Sequence, residues 1–329
     1  MDKSNNLNNR LKEISKIVIF LLICVVLLNC LSPIFLPKNN NKRSGIKYEN
    51  ARGFYGEKAH SIEVLAIGNS DLYSAMNPLQ LWNNHGITSY VSGEPSQNIF
   101  SAYYLLKEVY KNQRPEVVIL EVDELFSKGD ADDLDEVINN VLKYNFPLFE
   151  YHSRWKSMSH KDFKNLKVKY KDRMISKGYI YHNNIQSHPT GYKYMKENRS
   201  SALSVTTQLY LDKFMQLASD HQTKVLLVWY PSATTATLKR HQTIEKVANR
   251  YQIPFIDFNT DQYNTGFNWM TDTRDGGNHL NYSGATKMTK YIGQYLKDNY
   301  TLNDYRHDPH YEQWNKDYEM FMKKNKLAY

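Results

Sequence analysis

Five short apolar runs, each followed by a segment with helical spacing, constrain this chain more than any other feature of its sequence. The runs are SIEVLAIG, ITSYVSG, PEVVILEV, KVLLVWYP and IPFIDFN, at residues 61–68, 87–93, 115–122, 224–231 and 253–259. The third run is almost wholly apolar in its middle, as strands of a parallel sheet are when both faces are covered. Strands that alternate with helices predict an α/β fold, a three-layer sandwich in which a parallel five-stranded sheet lies between two layers of helices.

The helical segments carry apolar residues at helical spacing and capping signals at their ends. They lie at residues 77–86, 96–113, 201–222, 237–252 and 281–300. Residues 125–200 interrupt the alternation, because they are rich in Lys, Tyr, Asn and Asp and contain few apolar runs. We expect them to form a helical insertion, and residues 301–329 to form a helical tail that packs on the outside of the domain.

The N-terminal part of the chain contains an uncharged apolar run at residues 17–36. At about 1.5 Å per residue, a helix of this length spans roughly 30 Å, the hydrocarbon thickness of a bilayer. Four basic residues precede the run and no small-residue cleavage site follows it, which favours an uncleaved anchor with a cytoplasmic N-terminus. The sequence therefore predicts a cytoplasmic segment 1–16, a single-pass transmembrane helix in the cell membrane, a polar linker 37–60 and an extracytoplasmic domain over 61–300.

Both cysteines of the chain, Cys24 and Cys30, lie in this apolar run. The rest of the chain therefore has no disulfide, no cysteine nucleophile and no zinc–thiolate site. It also lacks an HExxH pattern and a phosphate-binding glycine-rich loop, so we expect neither a metal nor another cofactor. The net charge of +8 suits an anionic surface such as membrane phospholipid or a phosphate-bearing polymer, whereas no nucleic-acid recognition motif is present.

The first apolar run ends in Gly-Asn-Ser-Asp, which places Ser70 directly after a predicted strand. The loop after the fifth run, TDTRDGGNHLN at residues 271–281, contains His279 together with Asp272 and Asp275. Parallel sheets bind ligands at the carboxyl ends of their strands, so we expect these side chains to meet there. A serine, a histidine and an acid at one edge are the components of a hydrolytic triad. The competing interpretation is that Ser70 only caps the following helix.

Three stretches resemble the sequence blocks of the SGNH, or GDSL-like, hydrolases: GNSD at 68–71, SYVSGEPSQN at 89–98 and DGGNHLNYSGATKMT at 275–289. Their order and the α/β pattern agree with that family over residues 61–300. The resemblance implies that Ser70 is the nucleophile, His279 the base and Asp275 the acid that orients the base. It also implies that Gly93 donates a backbone hydrogen bond to the oxyanion.

One departure from the family concerns the spacing of the acid and the base. The pattern here is D-x-x-x-H from Asp275 to His279, one residue longer than is usual. Gly276 and Gly277 can absorb the extra residue, because glycine accepts backbone angles that other residues avoid. Asp272 remains a second candidate for the acid.

A second departure is that the asparagine of the family's third block is missing. The third strand ends in LEVDELF, with Glu121 in that neighbourhood, and an acid is a poor oxyanion donor unless it is protonated. Gln97 and Asn98, at the start of the predicted helix 96–113 that follows the second strand, are therefore candidates for the third donor. His152 and Trp155 of the insertion are candidates for lining the site, with ordinary packing as the alternative.

The resemblance is closest to membrane-anchored members that act on cell-surface polymers, such as DltD-like proteins of teichoic acid D-alanylation and the SGNH partners of membrane-bound O-acyltransferases. It implies a serine acyltransferase or esterase that acts on acyl esters of a cell-envelope polysaccharide or teichoic acid. A membrane-bound O-acyltransferase is the implied partner. The alternative is a catalytically silent, anchored scaffold or binding subunit of such a complex.

Overall fold

A five-stranded sheet lies at the centre of the computed structural model, which describes residues 2–126, 130–260 and 262–327. The strands, in chain order, are β1 Val64–Gly68, β2 Ser89–Gly93, β3 Val117–Glu121, β4 Lys224–Trp229 and β5 Phe255–Asp257. They are hydrogen-bonded in the order β2-β1-β3-β4-β5, and every neighbouring pair is parallel. The predicted α/β fold with a parallel five-stranded sheet is confirmed.

Helices surround this sheet and precede it. In chain order, the α-helices of the described residues are α1 Asp2–Phe35, α2 Glu49–Arg52, α3 Ser70–Ala75, α4 Pro78–His85, α5 Ile99–Val109, α6 Asp130–Asn145, α7 Pro147–Tyr151, α8 His160–Lys164, α9 Val205–Asp220, α10 Leu238–Tyr251, α11 Tyr282–Asn299 and α12 Glu312–Lys324. The closing helix α11 begins at an N-cap, Asn281, whose side chain accepts a hydrogen bond from the N–H of Gly284. Asn281 therefore has a capping role.

Successive residues of a strand point to opposite faces of the sheet, and both faces are covered here. Strand β3 shows this directly. Val118 and Leu120 share one buried cluster with residues of α5, α9 and α10. Val117 and Ile119 share another with residues of α3, α4 and α11. Each fully buried aliphatic side chain of this size contributes about 1.5–3 kcal/mol, so the two clusters hold the three layers together.

The strand order creates a crevice at the carboxyl ends of β1 and β3. The chain goes from β1 to β2 on one side and then returns to place β3 on the other side of β1. A reversal of this kind leaves room for a ligand outside the strand ends. Ser70 follows β1 and Asp123 follows β3, so both lie at this crevice.

Helix α1 is long and apolar enough, over the 27 residues Asn9–Phe35, to cross a membrane by length and composition. Its apolar side chains are largely exposed, and Phe20, for example, is 64% exposed. Near its end Ser32 is buried, and α7 and α8 pack against the helix.

Residues 37–60, expected to form a linker, pack onto the domain in the structure. Ile46 and Phe54 are fully buried, and Phe54 belongs to the cluster on the α5 face of the sheet. The side-chain amide of Asn50 donates a hydrogen bond to the backbone oxygen of Gly93 over 2.6 Å. The segment differs from a free linker because a few apolar residues within the polar stretch, once buried, hold the whole segment against the core.

The insertion also differs from the helical segment that the composition suggested. Helices α6, α7 and α8 cover its first half, but residues 165–190 contain no helix or strand. In NLKVKYK, at 165–171, lysines alternate with apolar residues instead of following helical spacing. This part of the chain is held instead by hydrogen bonds to distant segments, such as the one from the N–H of Lys169 to the oxygen of Lys38, 2.9 Å long. Residues 127–129 of the predicted insertion 125–200 lie outside the described residues.

A buried ion cluster fastens the C-terminal helix to the rest of the domain. The ammonium group of Lys177 is fully buried and lies 2.8 Å from both carboxylate oxygens of Glu57 and 2.7 Å from Oδ2 of Asp317. Arg173 forms two further hydrogen bonds to the carboxylate of Asp317. The ring of Trp314 lies 4.3 Å from the Lys177 nitrogen. Helix α12 is thus joined through its charges to the insertion and to residues before the sheet.

Candidate active site

Asn69, and not Ser70, caps the helix that follows β1. The side-chain oxygen of Asn69 accepts a hydrogen bond from the N–H of Asp71 over 2.8 Å, and Asn69 has the extended backbone of an N-cap. Ser70 is the first residue of α3 and is half-buried. The structure therefore gives the capping role to Asn69 and leaves the hydroxyl of Ser70 free of it.

His279 and Asp275 form a hydrogen-bonded pair in the loop before α11. Oδ2 of Asp275 contacts Nδ1 of the imidazole, while Oδ1 accepts hydrogen bonds from the backbone N–H of His279 (2.8 Å) and of Asn278 (3.2 Å). This arrangement places the ring proton on Nδ1 and leaves Nε2 as an acceptor. Burial alone would raise the pKa of the Asp275 carboxyl, but the hydrogen bonds from His279 outweigh it and leave that pKa lowered. The acid is thus held in its charged form.

Asp272 has a structural role and does not contact His279 among the described contacts. Its side chain is fully buried, and its Oδ2 lies 2.6 Å from Nζ of Lys287 and accepts a hydrogen bond from the N–H of Asn268 over 2.7 Å. Its Oδ1 accepts a hydrogen bond from the hydroxyl of Ser283 over 2.8 Å. These partners join the loop to α11. Of the two candidate acids, the structure therefore pairs only Asp275 with His279.

Two glycines allow the longer spacing between the acid and the base. Gly276 has a φ of 83° and Gly277 a φ of 107°, a region that side-chain-bearing residues rarely adopt. A Cβ at Gly277 would also lie 2.8 Å from the ring of His188. The extra residue is therefore accommodated by a turn that Asp275 closes with its side chain.

The pair faces the start of α3. Nε2 of His279 lies 3.6 Å from Oδ1 of Asp71, the residue next to Ser70. In the part of the chain that the structure describes, the Ser70 hydroxyl makes no hydrogen bond to His279. It lies instead near the hydroxyl of Tyr73, whose pKa is raised by burial and lowered, to a smaller extent, by Ser70. Catalytic hydrogen bonds are often long or misaligned without a substrate, so the geometry is compatible with a serine–histidine pair.

Buried acids lie near the start of α3, among them Asp71 and Asp123, for which the sequence predicts no role. The side-chain amide of Asn69 donates to Oδ2 of Asp123 over 2.8 Å and so joins the ends of β1 and β3. Burial raises the pKa of Asp71 and of Asp123 above the usual range of a carboxyl group. Burial, reinforced by Asp123 and Asp71, also raises the pKa of Glu121, whose oxygens are fully buried without a described hydrogen-bond partner. The only signal in the sequence is that these acids lie at or shortly after the ends of predicted strands.

Gly93 lies opposite Gly68 in the pairing of β1 with β2. A Cβ at Gly93 would lie 2.4 Å from the backbone oxygen of Gly68, so another residue would push the strand ends apart. This close approach brings the end of β2 next to the segment that carries Ser70, which is where an oxyanion donor from Gly93 is expected.

Gln97 and Asn98 are used by the local structure. The side-chain oxygen of Gln97 accepts from the N–H of Glu94 over 3.0 Å, and its amide group lies 3.4 Å from a carboxylate oxygen of Glu124. Asn98 is the N-cap of α5 and forms a capping box with Ser101. Their polar atoms thus shape the loop after β2 and the start of α5, and the role of one of these side chains as the third oxyanion donor stays a prediction.

One part of the insertion forms a wall beside the loop that carries His279. The N–H of Gln186 donates to the oxygen of Thr273 over 3.0 Å, and the oxygen of His182 accepts from the N–H of Tyr282 over 2.7 Å. Burial and the nearby charges of Arg274 and His279 lower the pKa of the His182 side chain. The sequence alone does not point to this second histidine, because no local pattern links residue 182 to the loop.

His152 and Trp155 do not belong to this wall. Both are exposed, in a turn at His152–Lys156 that packs against α1. Within the described residues, no group of three or more His, Cys, Asp or Glu side chains is arranged to hold a metal ion.

A cavity of about 300 Å³ lies near the end of β2. Glu94 and Gln97 line it on the side of Gly93, and Leu36, the residue after α1, lines it as well. Its other walls are rich in tyrosine, with Tyr55, Tyr104, Tyr144, Tyr151 and Tyr170. Tyrosine combines an apolar ring with a polar hydroxyl, which suits a ligand that has both kinds of surface.

No protein-family model matches the sequence, and no curated protein matches it significantly. Among solved structures, one assigned as a lipolytic protein of the G-D-S-L family from Desulfitobacterium hafniense is 14% identical, with 70% of this chain and 97% of that chain covered and a TM-score of 0.39. One assigned as an acylhydrolase from Bacteroides fragilis is 13% identical, with 77% and 96% covered and a TM-score of 0.38. An acetyl xylan esterase from Butyrivibrio proteoclasticus is 10% identical, with 74% and 65% covered and a TM-score of 0.32. Structural similarity at these identities and TM-scores does not assign an activity to this chain.

Proposed function

We propose that this chain is a membrane-anchored serine enzyme of the SGNH type that transfers acyl groups to or from hydroxyls of a cell-envelope polymer. The observation that carries the proposal is the Asp275–His279 pair, whose Nε2 lies at the start of the helix that bears Ser70, 3.6 Å from Oδ1 of Asp71. In this pair an ionised acid contacts one ring nitrogen of His279, and the other ring nitrogen lies at the start of the helix that bears Ser70. A purely structural loop does not require this combination. Such an arrangement suits a general base that activates a nucleophile.

In this mechanism Ser70 Oγ attacks the carbonyl carbon of an ester or thioester, and its proton passes to Nε2 of His279. Asp275 stabilises the imidazolium that forms. General base catalysis of this kind typically increases the reaction rate by about 10²–10⁴-fold. The backbone N–H groups of Ser70 and Gly93 hold the oxyanion. When the intermediate collapses, the leaving oxygen or sulfur takes the proton from Nε2 and the acyl group stays on Ser70.

The second half of the reaction returns the enzyme to its starting state. A sugar or polyol hydroxyl attacks the acyl-enzyme and gives its proton to Nε2, and Ser70 Oγ recovers that proton as the new ester leaves. If water attacks instead, the same steps release a free acid, and the protein acts as an esterase. Either outcome uses the same three side chains.

The substrate class is proposed to be a cell-envelope polysaccharide or teichoic acid, acylated outside the cytoplasm. The tyrosine-rich cavity supports this choice, because Glu94 and Gln97, which follow β2, line it and its tyrosines offer both rings and hydroxyls to a ligand. The net charge of +8 also favours a polymer that carries phosphate. A membrane-bound O-acyltransferase is the proposed partner, since it would deliver the acyl group across the bilayer that α1 spans.

Covalent labelling with a fluorophosphonate probe tests the nucleophile. We expect the full-length protein in detergent to be labelled at Ser70, and the Ser70→Ala variant to be unlabelled. Ser187→Ala is the matched control, because Ser187 is an exposed serine on the segment beside the site. No labelling of the wild type, together with full function of Ser70→Ala in cells, would mean that the chain is a silent scaffold.

Product analysis separates transfer from hydrolysis. The purified protein is incubated with an acyl donor ester, with and without an acceptor polysaccharide or polyol. Acylated acceptor whose yield depends on Ser70 supports the transferase. If only free acid is released with the acceptor in excess, the protein is an esterase and the transfer step is wrong.

A further inference from the structure

Part of the insertion is fixed at the place where α1 ends. This part, residues 147–171, is called here the juxtamembrane segment. The guanidinium group of Arg154 donates to the backbone oxygen of Phe35 over 2.5 Å. Fifteen residues later, the N–H of Lys169 donates to the oxygen of Lys38 over 2.9 Å. The chain between these two attachments therefore starts and returns at the level where the apolar run leaves the bilayer.

The residues between the attachments combine large apolar side chains with positive charge. Trp155 is 65% exposed, Phe163 58% and Leu166 48%. The juxtamembrane segment contains seven Lys or Arg side chains and only two acidic ones. One of those acids, Asp162, is already paired with Arg154 at 3.0 Å, so it does not neutralise the lysines.

We propose that the juxtamembrane segment is a second membrane contact, which lies in the headgroup region of an anionic bilayer beside α1. Tryptophan and other aromatic residues are enriched at this depth, where the ring is in an apolar layer and its polar edge is wet. Basic side chains add attraction to anionic headgroups, and a segment of this composition binds along the plane of the membrane. Trp155 and Phe163 act as apolar anchors, and the lysines between them contact the phosphates.

Single exposed apolar residues are common on any protein and need no explanation. The placement makes this case different. The turn with Trp155 and the helix α8 with Phe163 both pack against α1 itself. Their exposed side chains are therefore carried to the bilayer surface by the same helix that anchors the chain. A partner protein is the other occupant that such a surface could accept, and the experiment separates the two.

Trp155 provides the probe. The chain has five tryptophans, and Trp82, Trp229, Trp269 and Trp314 are each at most 7% exposed. The full-length protein is reconstituted alone into lipid nanodiscs of phosphatidylcholine and phosphatidylglycerol, with lipids brominated near the headgroup. Quenching of tryptophan fluorescence by bromine, and protection from acrylamide in water, then report mainly on Trp155.

We expect bromine to quench the wild type, and this quenched component to be lost in Trp155→Phe, a surface change that should leave the far-UV circular dichroism unaltered. Replacing Lys156, Lys161, Lys164 and Lys167 by Gln should weaken the quenching, more so in phosphatidylglycerol than in phosphatidylcholine alone. If Trp155 stays open to acrylamide and is not quenched by brominated lipid in either mixture, the inference is wrong and the surface belongs to a protein partner.

The inference rests on the membrane anchor in the proposed function but not on the chemistry of Ser70. If the chain does not enter the nanodisc at all, the anchor fails. If it enters and Trp155 remains in water, only the second contact fails. Labelling of Ser70 is unaffected in either case, so the outcomes can be told apart.

Discussion

Replacing Lys177 by Met is expected to destabilise the domain strongly, although residue 177 lies far in sequence from every candidate catalytic residue. The side chain is fully buried, and its ammonium contacts Glu57 and Asp317 at 2.7–2.8 Å. Asp317 would keep its two hydrogen bonds from Arg173, but Glu57, only 4% exposed, would lose its counter-charge. The cost of leaving one buried charge unpaired is about 3–5 kcal/mol.

The magnitude can be read from thermal and urea unfolding of the full-length protein in detergent. With about 2–4 °C per kcal/mol for a large domain, the midpoint of Lys177→Met should fall by roughly 6–20 °C. The double variant with Glu57→Gln should recover much of this, because no unpaired charge is then left in the interior. Lys316→Met is the matched control, since the Lys316–Glu312 pair on the same helix is exposed and such pairs contribute at most about 1 kcal/mol.

The same variant should also show a defined pH dependence. Burial already raises the pKa of Glu57 even though Lys177 lowers it, and removal of Lys177 takes away that opposing effect. A carboxyl group whose pKa is raised on folding stabilises the protein below its unfolded pKa and loses that stability as the pH rises through the folded value. The deficit of Lys177→Met should therefore be larger at pH 8 than at pH 5. A variant no less stable than Lys316→Met would refute the account of this cluster.

Three further changes test the site and the sheet. Asp275→Asn should lower ester turnover about 100- to 10,000-fold with little change in stability, because an amide donates to Nδ1 and moves the ring proton to Nε2; wild-type turnover would contradict the pairing. Gly93→Ala should lower the free energy of unfolding by about 2 kcal/mol or more in urea, because the new Cβ would lie 2.4 Å from the oxygen of Gly68. Nδ1 of His241 lies 2.7 Å from a carboxylate oxygen of Asp257, and this hydrogen bond is the main reason that the pKa of His241 is raised. The charged pair should contribute about 1 kcal/mol to the free energy of unfolding. That contribution is complete below the unfolded pKa of about 6.5 and disappears as the pH rises through the folded pKa. Urea titrations of wild type and His241→Asn should converge above that pH, and a gap that persists at pH 9 would contradict the assignment.

The sheet could be predicted because its signal is local. Each strand is a short apolar run, and a parallel sheet covered on both faces needs little more than that pattern and the helices between the runs. The two ends of the candidate site were predictable for a related reason. Ser70 and His279 directly follow or precede elements that the pattern locates, and a parallel sheet brings such positions to one edge. Their catalytic roles stay a prediction that labelling will test.

What the pattern could not provide depends on contacts between distant residues. Gln97 and Asn98 have suitable side chains for an oxyanion donor, but their hydrogen bonds to Glu94, Glu124 and Ser101 decide what they do. The pairing of Asn69 with Asp123 joins residues 54 positions apart. Residues 165–190 lack any regular period, since they are fixed by partners elsewhere in the chain and not by their own spacing. Apolar periodicity has no means of recording such partners.

The packing of residues 37–60 determines how far from the membrane the proposed enzyme can work. A free linker of this length would let the domain move by an r.m.s. distance of roughly 27 Å and by more at full extension. In the structure the segment does not allow this movement, because Ile46 and Phe54 are buried in the core. With α1 in the bilayer, the reach of Ser70 is limited to about the diameter of the domain, on the order of 50 Å from a radius of gyration near 19 Å. Polymers that extend further into the envelope would have to be modified near their membrane-attached ends, or before they grow outward.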